Sequence, residues 1–126
     1  MTHFKGTGMI HLDINDFDLN TNTLMYNKQP VKGKWICMVQ GNFCGFCTQA
    51  KPAFLEAKNK CNTAFFCTIQ IDGTNEAQVL GKQLSTITNI PMGGVPGFIL
   101  FKDGKPVKKF EGERTSKALI EFINTN

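Results

Sequence analysis

Two cysteines separated by two residues carry the chemistry that this sequence suggests. Cys44 and Cys47 lie in a Cys-Gly-Phe-Cys stretch that follows an apolar run and precedes a segment with helical spacing. Residues i and i+3 of a helix share a face, so the two sulfurs can form or break a disulfide without remodelling the fold. A thiolate at a helix N-terminus is stabilised by unpaired backbone N–H groups and by the helix dipole. The pattern therefore predicts a redox pair, with Cys44 as the attacking thiol and Cys47 as the resolving thiol.

The composition predicts a single domain over residues 1–126, large enough to hold a core without staples. Its net charge of +4 comes from scattered lysines with no dense basic block, so we expect no nucleic-acid partner. No apolar run reaches about 18 residues and no signal-peptide pattern is present, so we expect no membrane partner. Five cysteines, an odd number, favour the reducing cytosol over a secreted framework. We expect a cytoplasmic monomer whose residues 1–8 form a mobile N-terminal extension.

Two strands of different kinds are predicted before the motif. Residues 9–14 alternate between apolar and polar side chains, as a half-buried or edge strand does. Residues 35–39 are apolar on both faces, which predicts a central strand covered by helices on each side. Residues 15–34 are rich in Asn, Asp, Thr and Lys, and their pattern leaves both a helical turn and a packed loop open.

Helices and strands are predicted to alternate after the motif. In chain order they are a helix at 44–61, a strand at 64–71, a helix at 76–87, hairpin strands at 98–101 and 107–110, and a helix from Thr115 or Ser116. Pro52 is expected to kink the first helix. The side of the second helix predicted to face the core comprises Val79, Leu80, Gln83, Leu84 and Ile87.

This order of elements predicts the α/β class, as a three-layer sandwich with a central mixed sheet flanked by helices. A parallel pair of strands should lie at the centre of the sheet, with an antiparallel edge. The cysteine pair then lies at the carboxyl end of a central strand, where open α/β sheets place their sites.

The chain resembles thioredoxin-fold proteins, including disulfide isomerase-like domains, over most of its length. The features that carry the resemblance are, in order, the strand before Cys44-Gly45-Phe46-Cys47, Pro52, Ile71-Asp72 at the end of the next strand, Val95-Pro96 before a strand, Phe101-Lys102-Asp103-Gly104, Gly112 and a closing helix. The resemblance implies a mixed sheet of four or five strands and a protein thiol–disulfide oxidoreductase activity.

The resemblance also implies which residues form the site. Cys44 and Cys47 would be catalytic, with Phe43, Gly45 and Phe46 as supporting residues of the motif. Their disulfide would be the only redox group, so neither a metal nor another cofactor is expected. The partners would be cysteine-containing protein substrates and a thiol recycling system, either a reductase or glutathione.

A second part of the implied site lies after the third predicted strand. Val95–Pro96 would be a cis peptide bond facing the cysteines, and the cis form is rare outside bonds to proline. The backbone of Val95 would pair with an extended substrate strand, which makes Val95 and Pro96 the implied substrate-binding residues.

Three positions depart from the usual pattern of the family. Phe43 replaces a Trp, which keeps an aromatic wall but loses an indole donor. Met38 stands where a buried carboxylate is usual, and Thr68 stands where reducing members often have a lysine. No proton acceptor for Cys47 can then be named from the sequence. The departures bear more on the speed of substrate reduction than on disulfide chemistry itself.

The residues between the cysteines bear on the direction of electron flow. Gly45-Phe46 lacks the proline of the reducing thioredoxins, and a glycine followed by an aromatic residue is more like isomerases and oxidants of the superfamily. The sequence therefore favours oxidase or isomerase use over general reduction. The alternative is a thioredoxin-like module that binds peptides with little turnover.

A zinc site made from the motif and two of the remaining cysteines is a further alternative. The sequence lacks a second C-x-x-C or a His pair at zinc spacing, which argues against it. Cys37 and Cys67 fall within predicted strands and are expected to be small buried hydrophobic residues. Cys61 falls near a helix end.

Overall fold

The computed structural model describes Phe4 and residues 6–126, and Met1, Thr2, His3 and Lys5 of the predicted extension lie outside the described residues. In chain order the elements are β1 (Ile10–His11), a 3-10 turn (Ile14–Asp16), β2 (Phe17–Asp18), β3 (Thr23–Tyr26), β4 (Gln29–Pro30), β5 (Lys34–Gln40), α1 (Gly45–Lys60), β6 (Ala64–Gln70), α2 (Asn75–Thr88), β7 (Gly97–Lys102), β8 (Lys105–Lys109) and α3 (Ser116–Thr125).

The main sheet of the described chain has five strands in the order β1-β6-β5-β7-β8. β5 is parallel to β6, β1 is parallel to β6 at one edge, and β7 and β8 are antiparallel at the other side. The predicted parallel centre with an antiparallel edge is therefore confirmed. The register places Cys37 opposite Cys67 and Met38 opposite Thr68 across the two central strands.

The core forms on both faces of this sheet because β5 is apolar on both of its sides. Ile36 and Met38 face a cluster that includes residues of α1 and α3, whereas Cys37 and Val39 face a cluster that includes residues of α2. Phe54 of α1 is fully buried, and its ring contacts Phe4, Phe66 and Phe98 at centroid distances of 5.1–6.1 Å. The mixed sheet with helices on each side is the predicted three-layer sandwich.

Residues 15–34 differ from both alternatives that their composition left open. They form a small three-stranded antiparallel sheet, β2-β3-β4, rather than a helical turn or an irregular loop. The hairpin turn between β7 and β8 holds it in place, since the N–H of Leu24 donates to the carbonyl of Gly104 at 2.8 Å. Gly104 has a φ of +85°, and a Cβ there would lie 2.6 Å from the Cγ2 atom of Thr23.

The helices begin at residues that suit helix starts. Thr74 caps α2 and Thr115 caps α3, and each side-chain oxygen accepts a backbone N–H three residues later. The interior face of α2 is narrower than predicted: Leu80, Leu84 and Ile87 are buried, but Val79 and Gln83 are exposed. An α-helix that packs on one sheet buries a single stripe, and those two residues lie beside it.

The two edges of the main sheet are short or charged. β1 has only two residues, Ile10–His11, so the edge strand predicted over residues 9–14 is shorter than expected. β8 reads Lys-Pro-Val-Lys-Lys and is largely exposed.

Phe4, within the predicted extension, is 2% exposed and packs in the core. Among the described residues, none of the helices has both the length and the apolar character needed to cross a membrane.

Candidate active site

The predicted redox pair lies where β5 ends and α1 begins. Cys44 is the N-cap of α1, and its sulfur accepts the backbone N–H of Cys47 at 3.1 Å. The side chain therefore takes the position of a capping oxygen and satisfies one of the free N–H groups of the first turn. Both sulfurs are thiols in this structure. The helix runs on through Pro52 to Lys60.

The two cysteines differ in access and in acidity. Cys44 is 9% exposed and Cys47 is fully buried, so the thiol predicted to attack is less open than its place at the helix start suggested. Burial raises the pKa of Cys47 to about 11, and its hydrogen bond with Cys44 adds to the rise. The backbone of Gly41 and the charge of Lys51 act in the opposite direction. Cys47 is therefore protonated at neutral pH.

The loop before β7 closes one side of the pair. The Val95–Pro96 peptide bond is cis, the isomer that the family resemblance implied. The thiol of Cys44 donates to the carbonyl of Val95 at 3.6 Å, which accounts for the low exposure of its sulfur. Pro96 is buried and Val95 is half-buried. The structure thus brings Cys44, Cys47, Val95 and Pro96 together, although they are about 50 residues apart in sequence.

The supporting residues of the motif form the outer surface of the site. Phe43 is 69% exposed and Phe46 is 66% exposed, so two aromatic rings flank the cysteines in solvent. A Cβ at Gly45 would meet no heavy atom within 4 Å beyond its chain neighbours, so the backbone at Gly45 borders open space. Phe46 also borders a hollow lined by Gln49 and by Gly112, Glu113 and Arg114 of the segment before α3.

Asp72 closes the site on the side of β6. Its carboxylate accepts the backbone N–H of Asn42 with oxygen distances of 3.0 and 3.1 Å. Burial opposes ionisation of Asp72, but hydrogen bonds from the Asn42 backbone, the Gln70 side chain and the Phe43 backbone together lower its pKa. The carboxylate thereby fixes the turn that leads into the motif, and it is ionised at neutral pH.

Lys51 is a site residue that the sequence patterns did not single out. It lies one turn after Cys47 on the buried face of α1 and is only 6% exposed. Its Nζ atom is buried, with no hydrogen-bond partner among the described residues. The spacing could have indicated this position, since residue 51 continues the i+4 face that starts at Cys47 and passes to Phe54. A lysine in a sequence, however, ordinarily predicts an exposed side chain.

Two of the three positions that depart from the family pattern, Met38 and Thr68, lie on the side of the sheet that faces α1. Met38 is fully buried in the apolar cluster under α1 and supplies no charge. The hydroxyl of Thr68 donates a hydrogen bond to the carbonyl of Met38 at 2.7 Å. The same hydroxyl oxygen accepts one from the Nε2 of Gln40 at 3.3 Å. These side chains on the α1 side of the sheet are therefore apolar, or polar without a charge.

The remaining cysteines lie outside the site. Cys37 and Cys67 are fully buried neighbours on the α2 face of the sheet, as the sequence predicted for small interior residues. Burial and a hydrogen bond with Cys37 raise the pKa of Cys67. Cys61 is the partly exposed C-cap of α1. In the described part of the chain, no three His, Cys, Asp or Glu residues are placed to hold a metal ion.

Comparison with known sequences identifies the thioredoxin family. The thioredoxin family model matches residues 19–125. A thioredoxin-like protein, 453L, of Invertebrate iridescent virus 6 is 30% identical, with 78% of each chain covered. The thioredoxin of Mycobacterium tuberculosis is 26% identical over 90% of this chain and 86% of its own.

Comparison with solved structures gives the same fold. Mitochondrial thioredoxin 3 of Saccharomyces cerevisiae, in its oxidised form, matches with a TM-score of 0.65 at 19% identity, over 95% of this chain and 97% of that one. Human ERp44 matches with a TM-score of 0.65 at 21% identity, over 94% of this chain. This chain spans only 29% of that ERp44 chain and between 29% and 50% of the first four structural matches.

Proposed function

The chain belongs to the thioredoxin family, whose fold supports thiol–disulfide exchange, and on that premise we propose that it is a protein thiol–disulfide oxidoreductase. Cys44 and Cys47 are its reacting groups, and their disulfide is the only redox group it needs. The observation that carries the proposal is the placement of the Cys44 sulfur at the N-cap of α1, hydrogen-bonded by Cys47 and next to the Val95 carbonyl.

Each reaction cycle moves one pair of electrons. The Cys44 thiolate attacks one sulfur of a substrate disulfide, and the other substrate sulfur leaves as a thiolate. Cys47 then loses its proton and attacks the Cys44 sulfur, which breaks the mixed disulfide and releases the second substrate thiol. The substrate gains two electrons and two protons, and the protein is left with a Cys44–Cys47 disulfide. The same steps in reverse donate a disulfide to a dithiol.

The direction that we propose is oxidation or isomerisation rather than general reduction. Gly45-Phe46 lacks the proline of reducing thioredoxins, and the uncharged surroundings at Met38 and Thr68 offer no carboxylate to take the proton of Cys47. A slow second step lengthens the life of the mixed disulfide, and that favours rearrangement of the substrate over its release.

Substrates in this proposal are cysteine-containing protein segments in extended conformation. The half-buried Val95 next to Cys44 supports main-chain pairing with such a segment, and the exposed rings of Phe43 and Phe46 offer apolar contact beside it. A thiol reductase or glutathione would recycle the pair. The odd number of cysteines supports the reducing cytosol as the compartment in this proposal.

A second candidate is a peptide-binding module with little turnover. Fully buried, apolar Met38 under Cys47 favours it, because the usual carboxylate that speeds release is missing. In that case the surface around Val95, rather than the cysteine pair, would carry the function.

Equilibration with mixtures of reduced and oxidised glutathione tests the proposal. Acid quenching, alkylation and peptide mass spectrometry should show Cys44 and Cys47 interconverting between dithiol and disulfide, with a potential in the oxidising range of the superfamily. Cys61→Ser is the matched control, since it removes a partly exposed thiol outside the site and should leave the potential unchanged. A pair that stays in one state across the series would contradict the enzyme and leave the binding module. A potential as low as that of reducing thioredoxins would overturn the proposed direction.

A further inference from the structure

We propose that Lys51 is the cation that stabilises the Cys47 thiolate when this cysteine resolves the mixed disulfide. The inference rests on the proposed function. It names a charged group near Cys47 in a chain that has Met38 and Thr68 where family members usually have charged side chains. In this chain the charge comes from the helix that carries the cysteines rather than from the sheet beneath them.

The burial of Lys51 is the first observation. Lysines are almost never this buried unless they are paired, because an ammonium group loses its hydration there. Yet the Nζ atom of Lys51 has no hydrogen-bond partner among the described residues. Such a position is unfavourable for stability, which points to a partner that becomes charged during the reaction. Cys47 is four residues earlier on the same buried helix face.

The sheet opposite this helix face is the second observation. Side-chain alternation places Gln40, Thr68 and Gln70 on the same side of the sheet as Met38, toward α1. The Oε1 atoms of Gln40 and Gln70 are buried and have no hydrogen-bond partner within the described chain. They can accept hydrogen bonds from an ammonium group, directly or through water, but they carry no charge that would neutralise it.

The electrostatic surroundings agree with this assignment. Burial lowers the pKa of Lys51, while the charges of Cys47, Cys44 and Asp72 raise it, and in return Lys51 lowers the pKa of Cys47. Within the described residues, the charges that act on Lys51 are therefore those of the two motif cysteines and Asp72, whereas Glu113 and Arg114 line the hollow beside Phe46.

The effect of Lys51 is greatest in the second step of the cycle. In the free dithiol the hydrogen bond and the charge of Cys44 both raise the pKa of Cys47. Both influences disappear when the Cys44 sulfur is bound in a mixed disulfide. Burial, the backbone of Gly41 and Lys51 are then the remaining influences, and Lys51 is the one charged side chain among them. The proton of Cys47 goes to solvent rather than to Lys51, so Lys51 is a positioning residue that acts through Cys47.

The test compares Lys51→Met with Lys58→Met. Met keeps most of the length of the side chain and removes its charge, and Lys58 lies two turns further along α1, away from the cysteines. Each protein, loaded as the mixed disulfide of Cys44 with glutathione, is followed for glutathione release against pH. An opposite charge within reach shifts a pKa by about one unit or more. We expect Lys51→Met to slow release about tenfold at neutral pH and to move the inflection up by about one pH unit, while Lys58→Met matches the wild type. Lys51→Arg, which restores a cation, should recover most of the rate.

Unchanged release rates and an unchanged pH profile in Lys51→Met would overturn the role of Lys51 while leaving the proposed function intact. A wild-type protein that exchanges no thiol with glutathione would overturn both. If Lys51→Met does not fold, the wild type supplies the test through the ¹³Cε resonance of Lys51. Its titration should have a lower midpoint in the disulfide form than in the dithiol form, because no Cys47 thiolate can form there. Equal midpoints would exclude the coupling.

Discussion

Replacing each active cysteine in turn should show that the two thiols have different roles. In Cys44→Ser only Cys47 remains in the motif, and burial, the largest cause of its raised pKa, is unaffected. The pKa of about 11 that Cys47 has beside Cys44 is the upper limit for this variant, since the hydrogen bond and charge of Cys44 contribute to it; at that limit about one molecule in 10⁴ is ionised at pH 7, against about one in 100 for a thiol at the ordinary value of 9.0. A more basic thiolate is also more nucleophilic, which raises its rate of attack about eightfold and offsets part of this difference. Cys47 should therefore react up to about ten times more slowly than a free cysteine, before the exclusion of reagent by its full burial is counted.

The assay is alkylation and mixed-disulfide formation at low conversion, read at each cysteine by mass spectrometry, with a cysteine peptide as reference. In Cys47→Ser, Cys44 should form a mixed disulfide that accumulates, because no resolving thiol is left to release it. In Cys44→Ser, neither rapid labelling nor a trapped product is expected. Circular dichroism of both variants checks that the fold is kept. Labelling of Cys47 as fast as the peptide, or equal trapping by both variants, would refute the assignment of roles.

The remaining predictions concern the core and the two ends of the site. Phe54→Ala should lower the free energy of unfolding by about 3–5 kcal/mol in urea denaturation, because it removes a fully buried ring that contacts three others. Asp72 has a lowered pKa in the folded state, so its contribution to stability is present above its pKa in the unfolded chain and is lost as the pH falls through its pKa in the folded protein. Asp72→Asn should therefore make the free energy of unfolding less dependent on pH in that acid range. An unchanged dependence would count against this contribution. Met38→Glu should speed the release step by placing a proton acceptor under Cys47, and slower release from a folded variant would contradict this.

The sequence predicted the fold well wherever its signals were local and strong. The apolar strand before the motif, the helix after it and the hairpin at Asp103-Gly104 all lie within a few residues of where they were expected. Each of these depends on periodicity or on a turn that a short stretch of chain specifies by itself. The cysteine pair was predictable for the same reason, because its chemistry depends on spacing within one helical turn.

The parts that were not predicted depend on contacts between distant residues. The strands β2, β3 and β4 are two to four residues long, too short for alternation to show, and the contact of Leu24 with Gly104 holds them. Lys51 was missed for a related reason: helix spacing places it on the buried face, but its charge predicts solvent exposure. Only the packed structure shows which of the two tendencies prevails, and at this position it is burial.

The lysines and the proline of β8 also limit how this protein can associate with other chains. Lys105, Lys108 and Lys109 place positive charges along the outermost strand, and Pro106 removes one of the N–H groups that an added strand would need. At the opposite edge, β1 offers only two residues for pairing. Sheet-to-sheet polymerisation between copies is thereby discouraged at both margins. Under the proposed function, we then expect an extended substrate segment to align at the loop that carries Val95, next to Cys44.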